Sequence, residues 1–327
     1  MPNLFESRQH GSIKRIEFSS PNNHRVKIAS IFSLAFGLLL LLGTIRGGAT
    51  SLAKFVTIND IPAISYAMWQ SLTAALLLLI AGYLKTKRLP SFRDAGVHYL
   101  FCGIVGAALP NVLFFISIKN MNAGAMAVIL TLGPIFTYTL LLGLGREALN
   151  RFRLIGLILG LIGGGMIALG STESNFSFNV FYLIALLCPI LYASMSVYVS
   201  CRMSSPADPF LVAGATHLVS FMALLPVGLI TQQIHPIWIT PDLTDGLILL
   251  HGAIGATAYA LLFKIIELAG PIFYSFSSYI IAVTGVIWGV ALFGEQLTPG
   301  FLIATVAIFA GLYLINAKAQ CPQKTGN

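Results

Sequence analysis

Ten apolar segments, most of them about 20 residues long, constrain the fold of this chain more than any other feature. A helix needs about 20 apolar residues to cross the roughly 30 Å hydrocarbon core of a bilayer. Hydrophobic residues make up 57% of the chain and charged residues only 9%, which excludes soluble enzymes and secreted disulfide scaffolds. We therefore predict an all-α integral membrane protein with ten transmembrane helices, at residues 28–53, 61–84, 97–118, 123–144, 152–171, 178–201, 209–230, 246–267, 271–293 and 300–317.

The basic residues are distributed unevenly between the two ends of these segments. With a cytosolic N terminus, 16 of the 19 lysines and arginines lie on the cytosolic side, and the outer loops hold only Lys54 and Lys119. This asymmetry follows the positive-inside rule. We therefore expect a multi-pass protein of the cytoplasmic (inner) membrane with both termini cytosolic. The net charge of +8 is then an orientation signal, and we expect no nucleic-acid partner.

The cysteines and acidic residues bear on cofactors and on ion coupling. The four cysteines form no CxxC pair, which argues against a zinc site or a disulfide framework, and we expect no cofactor or metal. None of the eleven acidic residues falls in the middle of an apolar segment, so no buried carboxylate relay for protons is predicted. Facilitated diffusion or exchange is favoured over carboxylate-based proton antiport, although His251 is a group that can titrate near neutral pH.

An internal repeat divides the chain into two halves. Residues 122–164 align with residues 270–312, and this alignment pairs Glu147 with Glu295. Ten helices thus become five plus five. Because five is odd, the second half enters the membrane from the opposite face, so the repeats are inverted and their interface lies near the midplane. The predicted organisation is a cytosolic tail, two five-helix repeats and a second cytosolic tail, at residues 1–27, 28–171, 178–317 and 318–327.

Short motifs in both halves resemble those of a known family. Residues 145–149 (GREAL) and 294–298 (GEQLT) follow the fourth and ninth segments, Gly133-Pro134 lies within the fourth, and Leu42-Gly43-Thr44 lies within the first. Over residues 28–317 the chain resembles the drug/metabolite transporter superfamily, specifically its ten-helix EamA-type members. The resemblance implies a transporter whose substrate cavity is built from the first, third, fourth, sixth, eighth and ninth helices.

Polar side chains inside the apolar segments are the candidates for solute binding, because each needs a partner or a water-filled cavity. Taken singly, each is also explained by a hydrogen bond between helices. His251 and Tyr259 share one face of the eighth segment, and such a stripe is either a close-packing face or a cavity wall. We expect Tyr192, Tyr259 and Tyr279 to lie around one central space near the midplane. The predicted substrate-binding residues are Arg46, Gln70, Asn111, Tyr192, His251, Tyr259 and Tyr279.

Arg46 is the most unusual of these residues. At 1.5 Å per residue, it lies some 7 Å inside the outer boundary of the hydrocarbon, within reach of a side chain that snorkels to the surface. Gly43, Gly47 and Thr50 share its helical face, which favours an orientation into the bundle. No carboxylate in the apolar segments is available to neutralise it, so we predict that it recognises a carboxylate or another anionic group of the solute.

Three other residues are interpreted as structural or hinge residues. Pro134 removes a backbone donor and frees the carbonyl one turn earlier, which predicts a kink in the fourth helix. Glu147 and Glu295 each follow a helix at the membrane surface, which indicates capping or hinge roles rather than catalysis. The ridge of Gly156, Gly160 and Gly164 has GxxxG spacing, which fits either a homodimer or packing within one subunit.

The function that these features favour is secondary transport of a small organic metabolite, amino-acid-like or related, by alternating access. The lipid bilayer and the solute are the expected partners, and export or exchange is the expected mode. A lipid-modifying membrane enzyme is one rival, but no serine is paired with a histidine and no acidic metal cluster is present, so we predict no enzyme activity. A non-transporting membrane scaffold is the other rival.

The inverted repeat predicts that Glu147 and Glu295 face opposite sides of the membrane. Single cysteines placed at the two positions, in a background without the native cysteines, should react with an impermeant maleimide from opposite faces. Cysteines at Lys87 and Lys119, which the charge asymmetry places on the cytosolic and the outer side, serve as references. Reaction of both glutamate positions from one face would contradict the inversion.

Overall fold

A computed structural model gives the fold and describes residues 21–120, 126, 129–170, 180–202, 208–237, 242–293 and 300–317. Every regular element in these ranges is a helix, which confirms the predicted all-α membrane fold of ten helices. The helices are α1 (Pro21–Ile58), α2 (Ala63–Thr86), α3 (Phe92–Gly103, Ile104–Ala108 and Leu109–Asn120), α4 (Gly133–Gly143), α5 (Arg151–Gly170), α6 (Val180–Arg202), α7 (Pro209–Ile230), α8 (243–269), α9 (271–293) and α10 (Phe301–Ala317). The first helix begins at Pro21, so it includes residues 21–27 of the expected tail.

The helix ends follow from local sequence signals. Asp208 caps α7, where its Oδ1 accepts from the amide of Phe210 at 2.9 Å. Asp242 and Asp245 form a reciprocal capping box at the start of α8. Between α8 and α9 the backbone of Gly270 has a φ of 82°, which glycine adopts without strain, and Pro271 then starts the next helix.

Helix α3 is interrupted near its middle, and two further breaks lie directly before α4 and near the start of α9. In α3 a π-helical turn, Ile104–Ala108, separates two α-helical parts. In α4 a turn at residues 131–132 precedes Gly133–Gly143, and Pro134 lies in the first turn of that helix. In α9 the helix is broken at Phe276. Interrupted helices inside a membrane are tolerated where the freed backbone groups are buried in protein or line a cavity.

The packing of the helices has an internal two-fold pattern. Helix α2 packs on α7 and α5 packs on α10, and these are pairs of equivalent helices from the two repeats. The remaining contacts come in matched sets, in which α1 packs on α8 and α9 just as α6 packs on α3 and α4. The contact of α2 with α8 is likewise matched by that of α7 with α3. The two repeats therefore share one architecture.

Close approaches between equivalent helices show that they run antiparallel. Along α2, Leu79 faces Gly214 and Gly82 faces Leu211, so the partner number falls as the α2 number rises. Helices α5 and α10 show the same order, because Gly163 faces Ala304 whereas residues 156 and 160 face Gly311. Two equivalent helices that run in opposite directions require repeats of opposite orientation, so the inverted repeat predicted from the sequence is present.

The glycine ridge of α5 is used inside the subunit. A Cβ atom added at Gly311 of α10 would lie 2.5 Å from the carbonyl oxygen of Gly156. Gly160 lies against the ring of Tyr279, and Gly164 lies against Thr131. Small residues at these positions let the backbones approach closely. This ridge is therefore covered by α4, α9 and α10 of the same chain.

Adding a methyl group at Gly163 should separate α5 from α10. Its Cβ would lie 2.6 Å from the carbonyl oxygen of Ala304, whereas a Cβ at Gly165 on the same helix would meet nothing within 4 Å. We expect Gly163→Ala to be less stable than the matched control Gly165→Ala by about 1–3 kcal/mol, the usual range for overpacking. Thermal unfolding in detergent measures the difference, and equal stability of the two variants would contradict the packing described here.

Candidate functional site

A central cavity lies between seven helices, and both repeats line it. Its walls come from α1, α2, α3, α4, α6, α8 and α9, so α2 joins the six helices that the family resemblance implied. The space between the lining atoms is about 850 Å³, which includes solvent at the mouth of the cavity. The interruptions in α4 and α9 adjoin it, because Leu130, Gly133, Ser275 and Ser277 are all lining residues.

Arg46 lies in this cavity, not at a lipid-facing surface. Its guanidinium carbon is 5.7 Å from the ring centroid of Tyr192, and Tyr274 lines the same cavity. Among the residues that the structure describes, no carboxylate lies within ion-pair distance of Arg46. The cavity therefore contains one positive charge that contacts an aromatic ring and is not neutralised by the described part of the protein.

A directional hydrogen-bond chain begins at Tyr192. The Tyr192 hydroxyl donates to Asn111 Oδ1 at 3.1 Å, and Asn111 Nδ2 donates to Gln70 Oε1 at 3.2 Å. Each amide oxygen in the chain thus accepts one hydrogen bond, while the amide nitrogen of Gln70 has no acceptor among the described residues. The chain brings three predicted site residues together and leaves the Gln70 amide as an available donor.

Hydroxyl groups on α4, α6 and α9 present the opposite character. Each donates its proton to a backbone carbonyl one turn earlier in its own helix, at 2.7 to 3.0 Å, so only its oxygen lone pairs remain for a ligand. These lining residues are Thr137, Ser196, Ser275 and Ser278. Thr50 of α1 donates in the same way to the carbonyl of Arg46 at 3.1 Å, so the donors of α1 and α2 share the cavity with acceptors from α1, α4, α6 and α9.

His251 of α8 is the fifth predicted site residue in the cavity. Its Nδ1 lies 2.6 Å from the hydroxyl of Tyr66, and its ring meets those of Tyr66 and Phe115 edge to face. Tyr66 is fully buried and stacks on Phe115 with ring centroids 4.0 Å apart. These contacts hold the imidazole in one orientation at the cavity wall.

The structure does not bring Tyr259 and Tyr279 into the cavity. The Tyr259 hydroxyl donates to the carbonyl oxygen of Gly106 in the π-helical turn of α3. Pro110 follows this turn and has no amide hydrogen, so one carbonyl of the turn lacks its helical donor, and the tyrosine hydroxyl adds a donor there. The Tyr279 hydroxyl donates to the carbonyl oxygen of Leu157 at 3.2 Å, beside the glycine ridge. Both hydroxyls join helices to each other.

Of the three residues predicted to have structural or hinge roles, Glu147 and Pro134 do not line the cavity. Glu147 pairs with Arg153 at the turn between α4 and α5, where Asn150 Oδ1 also accepts from the amide of Phe152 at 2.9 Å. Pro134 is buried at the start of α4, directly after the interruption. Glu295 lies outside the described residues. No group of three or more histidine, cysteine, aspartate or glutamate side chains that could hold a metal occurs in the searched part of the chain.

Sequence reasoning missed Tyr274 and Tyr66. Tyr274 belongs to a segment, 274–279, in which every residue except Phe276 carries a hydroxyl, and that segment in an otherwise apolar helix was the available signal. Tyr66 had no such signal, because its role depends on a histidine 185 positions away.

Comparisons with known proteins agree with this architecture. The sequence model of the EamA-like transporter family matches residues 29–169 and 180–317, one match for each five-helix repeat. An "Uncharacterized transporter" of Helicobacter pylori (strain J99) is 28% identical over 143 residues, which are 43% of this chain and 48% of the relative. The "Uncharacterized transporter YyaM" of Bacillus subtilis is 30% identical over 128 residues, which are 38% of this chain and 42% of the relative. The matched segments thus span about half the length of these curated relatives.

A solved crystal structure has a similar fold. It superimposes with a TM-score of 0.67 and 18% identity, and the match covers 86% of this chain and 96% of the other. At that identity the likeness concerns the fold alone.

The link between Pro110 and Tyr259 can be measured with a double-mutant cycle. We expect Tyr259→Phe to lower the free energy of unfolding by about 1 kcal/mol, because the Gly106 carbonyl loses its donor. In a Pro110→Ala background the restored amide can donate within this turn and let its hydrogen bonds rearrange, so the same substitution should cost less. Denaturant unfolding in detergent gives the four values. Equal costs in both backgrounds would contradict the proposed compensation.

Proposed function

The chain belongs to the EamA-like transporter family, and we propose that it is a secondary transporter for a small organic solute with a carboxylate group, such as an amino acid or a related metabolite. The proposal places the protein in the cytoplasmic membrane with both termini cytosolic, where it works as an exporter or exchanger. Transport is proposed over catalysis on lipid because the family is one of transporters and the cavity is suited to holding a solute.

The observation that carries this proposal is the unneutralised charge of Arg46 in the cavity. A guanidinium inside a membrane protein is costly unless an anion or several hydrogen-bond acceptors face it. Among the described residues, the Tyr192 ring contacts it and no carboxylate pairs with it. A carboxylate of the solute can supply the missing anion through paired N–H donors, the geometry for which arginine is best suited.

The remaining lining groups favour a solute that also carries a donor. The hydroxyls of Thr137, Ser196, Ser275 and Ser278 can accept but have already donated their protons. An ammonium, amine or hydroxyl group on the solute would bind such oxygens without a buried carboxylate. The presence of both donors and acceptors in the cavity wall supports a zwitterionic or amino-acid-like solute over a simple inorganic anion.

Alternating access is supported by the arrangement of the helices. The cavity lies between inverted repeats, and helices α4 and α9, which are equivalent, are both interrupted where they reach it. Half-helices at a repeat interface can tilt with limited loss of backbone hydrogen bonds. No acidic residue lines the cavity in the described part of the chain, which supports facilitated diffusion or exchange over carboxylate-based proton antiport.

Substitution of Arg46 tests the proposed substrate class. After a thermal-shift screen of amino acids and related metabolites has identified a bound solute, its uptake into proteoliposomes is compared between variants. We expect Arg46→Ala to reduce kcat/KM about 10-fold to 100-fold, the loss expected for a charge-assisted hydrogen bond. Arg46→Lys should insert normally but transport weakly, because it keeps the charge and loses the paired donors.

Lys119→Ala is the matched control for this experiment. It also removes a basic side chain, but one that pairs with Asp60 at an exposed helix end, so transport should not change. Full activity of Arg46→Ala with a carboxylate solute would contradict the proposal and assign Arg46 to snorkelling.

A further inference from the structure

The pair formed by Tyr66 and His251 sets the chemical character of one cavity wall. Tyr66 has an exposed fraction of 0%, and its hydroxyl has a single described partner, the Nδ1 atom of His251 at 2.6 Å. A buried hydroxyl that cannot reach water must donate its hydrogen to an available acceptor. Nδ1 is the acceptor in reach, so the lone pair of the imidazole lies on Nδ1.

The protonation of the ring follows from this bond. A neutral imidazole has one N–H donor and one acceptor nitrogen, so a ring that accepts at Nδ1 carries its hydrogen on Nε2. In a charged ring both nitrogens would donate, and the Tyr66 hydrogen would have no acceptor. Arg46 of α1 lines the same cavity as His251, and no described carboxylate pairs with the histidine. A second positive charge in the same cavity would be repelled, so the neutral ring is favoured.

The Nε2 atom of His251 has no hydrogen-bond partner in the part of the chain that the structure describes. Among the described residues His251 makes one hydrogen bond, the bond to Tyr66, and it lines the cavity together with Arg46 and Gln70. An N–H donor on α8 therefore adds to the donors of Arg46 on α1 and Gln70 on α2. A carboxylate has two oxygens with about four lone-pair positions, enough to accept from more than one of these groups.

We propose that Tyr66 is a positioning residue that holds His251 as a neutral Nε2–H donor, so that His251 and Arg46 together bind the solute carboxylate and discriminate against its uncharged amide. This inference rests on the proposed function, because it concerns the same cavity. An amide has one oxygen and an NH₂ group, and the NH₂ group would face a donor instead of an acceptor. Arg46 alone would favour any negatively charged group, whereas the added Nε2–H donor of His251 makes the cavity favour a carboxylate in particular.

The first experiment needs no transport. The protein is labelled with ¹⁵N-histidine in lipid nanodiscs, and the signals of His251 are assigned by their loss in His251→Gln. We expect the signature of the neutral Nε2–H tautomer in the solute-free protein, and a mixture of tautomers in Tyr66→Phe, which keeps the ring that stacks on Phe115. A ring that carries hydrogen on Nδ1, or on both nitrogens, would overturn the inference.

The second experiment uses acetate and acetamide as minimal probes, with sodium chloride as the ionic-strength control. Acetate should shift the His251 signals, and acetamide should bind more weakly than acetate. Tyr66→Phe should reduce the acetate affinity about tenfold and so bring it closer to the acetamide affinity. Tyr138→Phe is the matched control, because it removes a buried hydroxyl that bonds to the turn after α4 instead of the cavity. An equal loss of acetate affinity in Tyr138→Phe would overturn the positioning role.

Two further variants separate the possible failures. His251→Gln retains a side-chain donor and should keep more acetate affinity than His251→Leu, whereas equal losses would count against recognition through a donor. If the Nε2–H tautomer is observed but acetate shifts no His251 signal even at high concentration, recognition by His251 fails and this inference is overturned, whereas the role of Arg46 in the proposed function is tested separately by Arg46→Ala. If acetate binds with a different tautomer, the proposed function stands and this inference fails.

Discussion

Hydrocarbon offers no hydrogen-bond partners to a polypeptide backbone, and this constraint accounts for both the regular and the irregular parts of the fold. Most residues meet it by forming helices that pair their own amides and carbonyls. Where a helix is interrupted, another group must take over. The Tyr259 hydroxyl does so at Gly106, and the cavity adjoins the breaks in α4 and α9. Irregular backbone is therefore found where side chains or the cavity can satisfy it.

The same scarcity of partners gives the cavity its polarity. Hydroxyls on α4, α6 and α9 donate to the nearest backbone carbonyl, since no better acceptor is close, and their lone pairs remain for a ligand. In the hydrogen-bond chain from Tyr192 through Asn111 to Gln70, each amide oxygen accepts one hydrogen bond, and the chain ends at the amide donor of Gln70. With Arg46 added, each wall has a defined hydrogen-bonding character before any solute enters. A preorganised site of this kind loses little entropy when a solute binds.

Inverted symmetry supplies the scaffold, whereas the chemistry on it is asymmetric. Equivalent helices pack as antiparallel pairs at glycines, and the two repeats contribute matching sets of contacts. The positive charge nevertheless comes from α1, and much of the hydroxyl wall comes from α9 in the second repeat. Two interchangeable halves favour alternation between two orientations of the cavity, while unequal side chains allow one asymmetric solute to be recognised.

The sequence by itself determined the ten helices, the inverted repeat and the isolation of Arg46 from carboxylates, because apolar length, repeat order and charge placement are properties of the chain order. It also indicated Gln70, Asn111, Tyr192 and His251, which the structure places in one cavity. Only the tertiary structure separated these residues from Tyr259 and Tyr279. Helical periodicity defines the face on which a residue lies, but not which neighbouring helix meets that face. A hydroxyl turns toward a carbonyl or an imidazole only where packing brings the two together, as for Tyr66 and His251.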